Sequence, residues 1–185
     1  FRNYCTVRAV GTTDANTSDM PRRRMSGGGD LVFHVLNRAA WKQPIFATED
    51  LRLSFARLLA EARYRVPLRL LTFCVMPTHF HLVMWPADDR QLPAFMHWLT
   101  GTHAQRWRVR NGTTGTGAVY QGRYKAIPAQ TDGHLLRLCR YVERNPVRAG
   151  LVKRADQWRC AGLRQRQLSP PDVDLDPWPV ERPAN

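Results

Sequence analysis

No stretch of this chain approaches the roughly 18 consecutive apolar residues of a membrane span, and its first residues hold no apolar core followed by a small-residue cleavage site. A cytoplasmic protein is therefore expected. Cysteine is sparse: Cys5, Cys74, Cys139 and Cys160 are scattered without a C-x-x-C pair, which argues against a structural zinc site and offers no disulfide framework. They read as reduced, mostly structural thiols. Phosphate-cradling glycine patterns are missing as well, with no G-x-x-x-x-G-K-[ST] and no G-x-G-x-x-G after a strand. Neither ATP nor a dinucleotide is implied, so any phosphoryl chemistry must conserve its own bond energy. Acidic residues are the last shortage. Against 28 Lys and Arg stand 15 Asp and Glu, a formal net charge of +13. Such an excess favours a polyanionic partner, because neutralised phosphates release condensed counterions. Nucleic acid is the leading candidate, with a merely basic or membrane-facing surface as the alternative.

The 185 residues suit one domain with tails. Residues 1–29, polar and rich in Thr, Gly and Arg, are expected to form a disordered basic leader. Within it Met20 offers a possible natural start, with Arg22, Arg23 and Arg24 as either a basic arm or a solvated stretch without function. Residues 30–165 are read as the catalytic domain, and 166–185 as an acidic tail. Pro170, Pro171, Pro177, Pro179 and Pro183 keep that tail from being a regular helix.

Between the tails the apolar period switches repeatedly between two and three-to-four. Strands are expected at 31–37, 68–75, 80–85 and 119–128, and helices at 50–64, 92–108 and 132–144, the last stopped by Pro146. The order strand, helix, strand, strand, helix, strand, helix predicts an α/β protein of the α+β kind. Its architecture is a ferredoxin-like antiparallel sheet with packed helices.

Two clusters could carry chemistry. His79 and His81 flank Phe80 at the start of a strand, so both imidazoles share one face and could be preset metal ligands. Alone, an H-x-H is more often one packed and one solvated histidine. Tyr141 and Asn145 lie one helical turn apart, at the flank of an apolar stripe made by Leu135, Leu138, Cys139 and Val142. Arg137, one turn before Tyr141, could clamp a phosphate beside the hydroxyl. Taken singly, Tyr141 could be an amphipathic core-edge residue and Asn145 a polar cap.

These clusters recur in longer runs: Phe33-His-Val-Leu-Asn-Arg38, Val75-Met-Pro-Thr-His-Phe-His-Leu-Val83, Tyr120-Gln-Gly-Arg-Tyr-Lys125 and Cys139-Arg-Tyr-Val-Glu-Arg-Asn-Pro-Val-Arg-Ala-Gly-Leu-Val152. In that order they resemble the REP-associated tyrosine transposases, relatives of the IS200/IS605 transposases in the HUH endonuclease superfamily. Thr78 departs from the family, which commonly has Asn there, and so does the long leader. The resemblance implies an HUH-type fold in which His79, His81 and Asn145 hold a divalent metal, Mg²⁺ or Mn²⁺, and Tyr141 is the nucleophile. It implies cleavage and rejoining of single-stranded DNA beside palindromic hairpins through a 5′-phosphotyrosine. A phenol is mostly protonated at neutral pH, so it needs a cation or base nearby to attack; a metal on the scissile phosphate would meet that need.

The substrate surface is expected to include Arg38, Lys42, Arg106, Arg108, Arg110, Arg123, Lys125, Arg137, Arg144 and Arg148, with Trp41, Trp107, Tyr120 and Tyr124 as candidate base-stacking platforms. Each aromatic taken singly is more often core than platform. The expected partner is single-stranded or hairpin DNA, with the protein a monomer or homodimer. Two rivals remain: a non-catalytic single-strand-binding module, and a replication initiator or relaxase of the same superfamily.

Overall fold

A computed structural model describes residues 31–129 and 132–178. The expected leader 1–29 with its arginine arm, Cys5, and residues 179–185 of the expected tail lie outside the described residues. The chain runs β1 (Val32–Arg38), α1 (Glu49–Arg65), β2 (Arg69–Met76), β3 (His79–Trp85), α2 (Gln91–Arg110), β4 (Lys125–Ala129), α3 (Asp132–Glu143), α4 (Asn145–Arg148) and α5 (Gly162–Gln165). The strands form one sheet in the order β2-β3-β1-β4, every pairing antiparallel. This is the split β-α-β arrangement expected from the sequence. No helix among the described residues is long and apolar enough to cross a membrane.

Alternation along the strands sorts the sheet into two faces. Phe33 and Val35 of β1 and Phe80, Leu82 and Met84 of β3 are buried on one face. There Phe55 of α1 lies 4.8 Å from the Phe80 ring and 4.9 Å from that of Phe46. The α1 helix starts where the Thr48 hydroxyl accepts from the Leu51 N–H, and Glu49 and Asp50 complement its N-terminal dipole. Beside the aromatic rings His103 of α2 is buried, its Nδ1 2.7 Å from the Tyr120 hydroxyl. Burial holds the His103 imidazole down to about 4 and raises the Tyr120 phenol, so Tyr120 donates and His103 accepts.

A buried neutral imidazole makes the fold acid-sensitive. The unfolded chain binds a proton below about pH 6.5 that the folded chain refuses until about 4, so stability falls as pH drops through that window. The cost of this one group at pH 5 is on the order of 2 kcal/mol. Urea unfolding at pH 7 and pH 5 should show the loss, and His103→Gln should lose about 2 kcal/mol less between the two. An identical pH slope in that variant would reassign the effect.

The opposite face carries Leu36 and His34 of β1, His79 and His81 of β3, Thr72 and Cys74 of β2, and Lys125 and Ile127 of β4. Helices α3 and α5 pack over its β2 side. The Thr72 hydroxyl donates to the buried Glu143 carboxylate at 2.9 Å, tying the end of α3 to the sheet. Gly162 opens α5 where a Cβ would stand 2.1 Å from the Thr72 Oγ1, so only glycine permits this approach. The edge of β2 is covered: Val75 donates to the Cys160 carbonyl at 2.9 Å, and Asp176 donates to that of Leu70 at 3.0 Å. Through residues 166–178 the chain has no helix or strand, yet Trp178 donates to the Leu71 carbonyl at 3.2 Å. Cys74, Cys139 and Cys160 are buried free thiols, all raised by burial, Cys139 and Cys160 to about 12.

Two elements depart from expectation. The strand anticipated at 119–128 forms only from Lys125. Tyr120 makes a single bridge to Ala39, Gln121 donates to the Arg38 carbonyl, and the chain then bends through residues 121–123 before pairing resumes. The last expected helix ends at Glu143, one residue early, so Asn145 is not on the helix of Tyr141 but opens the short α4, with Pro146 in its first turn where the missing N–H is not needed.

Candidate active site

The site is assembled where the histidine face meets the exposed side of α3. The His79 and His81 rings lie 4.9 Å apart, and Tyr141 presents its ring edge-on at 6.2 Å from both His81 and His34. Tyr141 reaches this position because Leu135, Cys139 and Val142 are buried beneath α3 and Glu143 anchors its end, leaving Tyr141 half-buried at the flank. The Arg148 guanidinium, on α4, sits over the Tyr141 ring at 4.9 Å from its centroid.

His34 is the residue that sequence reasoning missed. It lies diagonal to His81 across the β1–β3 pair, since His34 is opposite Val83 and Leu36 opposite His81. Its Nε2 is 2.9 Å from the His81 Nδ1, and the two rings stack at 5.1 Å. In the same way the His79 Nδ1 meets the Thr78 hydroxyl at 3.1 Å, so the residue that departs from the family pattern still contacts the first histidine. Burial lowers the imidazoles of His34 and His79 to about 4 and that of His81 well below its ordinary value; Arg38 adds to the effect on His79, and His79, His34 and Arg38 to that on His81. All three rings are therefore neutral at pH 7. When His81 and His79 donate from Nδ1, each keeps a lone pair on Nε2, the state a metal ligand needs.

Asn145 stands at the start of α4 with its amide nitrogen donating to the carbonyls of Tyr141 at 3.0 Å and Val142 at 3.2 Å. Both bonds use the amide nitrogen, so the oxygen, the atom a cation would take, has no part in them. Among the described residues no three His, Cys, Asp or Glu come together as a metal-binding group. A set of two neutral imidazoles and an amide oxygen nonetheless suits a divalent cation that takes its remaining ligands from phosphate and water.

The expected DNA-contacting residues divide by location. Exposed Arg38 pairs in register with His79, Lys125 projects on the histidine face opposite Leu36, and Arg123 lies in the exposed loop just before β4. Arg137 is exposed one turn before Tyr141, but the guanidinium over the Tyr141 ring belongs to Arg148. Arg106 stands apart, on α2 across the sheet, where it pairs with Glu61 of α1 at 3.1 Å. Of the aromatic candidates, Tyr120 is a core residue bonded to His103, Trp107 and Tyr124 are half-buried, and Trp41 is exposed.

Residues 29–145 match the family described as Transposase IS200 like. The chain belongs to the IS200-like transposase family. The matched stretch contains His34, His79, His81 and Tyr141 and ends at Asn145. The structure of a REP-associated tyrosine transposase bound to a REP hairpin is similar in fold, with a TM-score of 0.57 and 18% identity over 91% of this chain and 100% of that one. A second similar structure, that of a transposase candidate from Deinococcus radiodurans, has a TM-score of 0.47 and 15% identity over 69% of this chain and 97% of that one. No curated protein sequence matches the chain. An IS200-like transposase thus presents a tyrosine, neutral histidines and an arginine on one side of an antiparallel sheet.

Proposed function

We propose that this transposase is a metal-dependent, single-strand-specific DNA endonuclease and transesterase that cuts and rejoins strands through Tyr141. The observation that carries the reading is the edge-on placement of Tyr141 at 6.2 Å from the His81 ring, beside histidines that are neutral at pH 7. His79, His81 and Asn145 would hold the divalent cation, which would supply positive charge to the scissile phosphate. The Tyr141 oxygen attacks phosphorus and the 3′ oxygen leaves, taking up the proton that the phenol gives away. The products are a 5′-phosphotyrosine and a free 3′-hydroxyl, and attack by such a hydroxyl reverses the step. One phosphodiester is exchanged for another, so no nucleotide cofactor is required. Arg148 beside the phenol ring and Arg38 beside His79 place cations where the phosphate must arrive. Lys125, Arg123 and Arg137 extend that charge along the strand's path, with Lys42 beyond Arg38.

The neighbouring REP-hairpin complex supports a hairpin with single-stranded flanks as the substrate. The phosphate must come into line with a hydroxyl fixed on α3, which requires a strand free of its complement. Opening even two steps of duplex would cost about 2.8 kcal/mol, roughly a hundredfold in rate. A labelled REP hairpin with single-stranded flanks should therefore be cut with Mg²⁺ or Mn²⁺ at least about 100-fold faster than the same sequence as perfect duplex. Equal rates on the two forms would favour a general nuclease instead.

A further inference from the structure

Trp41 is 91% exposed, so its indole adds nothing to the core. The backbone that carries it is nevertheless firmly held. Ala39 donates to the carbonyl of Thr78, the residue before His79, and Ala40 donates to that of Val119, both at 2.9 Å. The next residues form a tight turn in which the Gln43 N–H closes onto the Ala40 carbonyl at 3.0 Å, with φ of 54° at Trp41 and 56° at Lys42. Positive φ at both central positions is type I′ geometry, which glycine, asparagine and aspartate fill most easily. Trp and Lys are strained there. Strain of this kind persists where the surroundings impose it and is concentrated at functional positions.

The side chains this turn presents are an open aromatic face and an ammonium, with Arg38 two residues before Ala40. The turn follows directly from the β1 end that pairs with His79. A flat exposed ring with a cation on either side of it in the sequence complements an unpaired nucleobase between its phosphates, and stacking of this sort tolerates any base. We infer that the Trp41–Lys42 turn is a stacking platform that holds an unpaired base of the strand flanking the hairpin, beside the His79 end of the site. The inference rests on the single-strand transposase reading above.

The test uses the full chain without divalent metal, so that nothing is cut, and fluorescence anisotropy of two probes. One is a REP hairpin with a short unpaired extension; the other is the same hairpin ending flush. The wild type should prefer the extended probe by roughly 5- to 150-fold, the scale of one stacked base. Trp41→Ala should abolish most of that ratio and Trp41→Phe should retain most of it. Trp41→Asn, which suits the turn, should also lose the ratio while melting at or above the wild-type temperature. A wild type that discriminates while Trp41→Ala discriminates equally overturns the platform alone. A fall in melting temperature for Trp41→Asn by several degrees makes the residue structural and also overturns it. A wild type indifferent to the extension overturns both the platform and the flanking-strand reading on which it rests.

Discussion

Tyr141→Phe is expected to lower strand cleavage by at least about 10⁴-fold and to eliminate the covalent protein–DNA adduct, because no other group on α3 can form the phosphoester. Hairpin affinity should change little. The substitution keeps the ring that packs edge-on against His34 and His81 at 6.2 Å and lies under Arg148, and Leu135, Cys139 and Val142 still seat the helix. Cleavage with labelled DNA, a denaturing gel for the adduct and an anisotropy titration together separate chemistry from binding. Cleavage at the wild-type rate would remove Tyr141 from the mechanism, whereas loss of binding along with cleavage would give it a structural role.

His81→Ala is expected to reduce metal-dependent cleavage by about 10³-fold, since withdrawal of a ligand forfeits several kcal/mol of charge stabilisation at the phosphate. His34→Ala should act through the same ring more weakly. With no acceptor for its Nδ1–H, His81 would no longer be held in the tautomer that leaves Nε2 free, and a supporting contact of this kind is worth about 10- to 100-fold in metal affinity. Calorimetric titration with Mn²⁺ reads the affinity directly and apart from catalysis. Unchanged Mn²⁺ affinity in His81→Ala would exclude His81 as a ligand. Unchanged affinity in His34→Ala, with His81→Ala impaired, would leave His34 as a packing residue.

The sequence was most informative where the signal is local. An H-x-H in a strand puts two imidazoles on one face whatever surrounds it, and helical period alone puts Tyr141 at a flank of α3, although Asn145, one turn on, falls beyond the end of that helix at the start of α4. The element order likewise predicted the sheet, because short apolar runs at period two alternating with longer ones at period three to four leave few topologies open. Where the signal weakened, the elements shifted: Val119 and Tyr120 read as strand by composition but are buried in a loop beside Ala39, because bridging to a neighbour and pairing along a ladder need the same residue types.

By itself the sequence determined the chemistry available to this protein: a basic chain, two same-face histidines, a tyrosine on an amphipathic helix, and no nucleotide-binding loop. The tertiary structure decided which groups act together. His34 is 47 positions from His81 and became its partner only through the β1–β3 register, a nonlocal quantity that no periodicity encodes. Arg106 and Arg148 look alike in sequence, yet packing sends one to Glu61 across the sheet and the other over Tyr141. Tyr120 and Trp41 were equal candidates for stacking until burial claimed the first for His103 and a strained turn exposed the second. Each of these choices depends on which surface faces water, and that is settled only when the helices have covered the sheet.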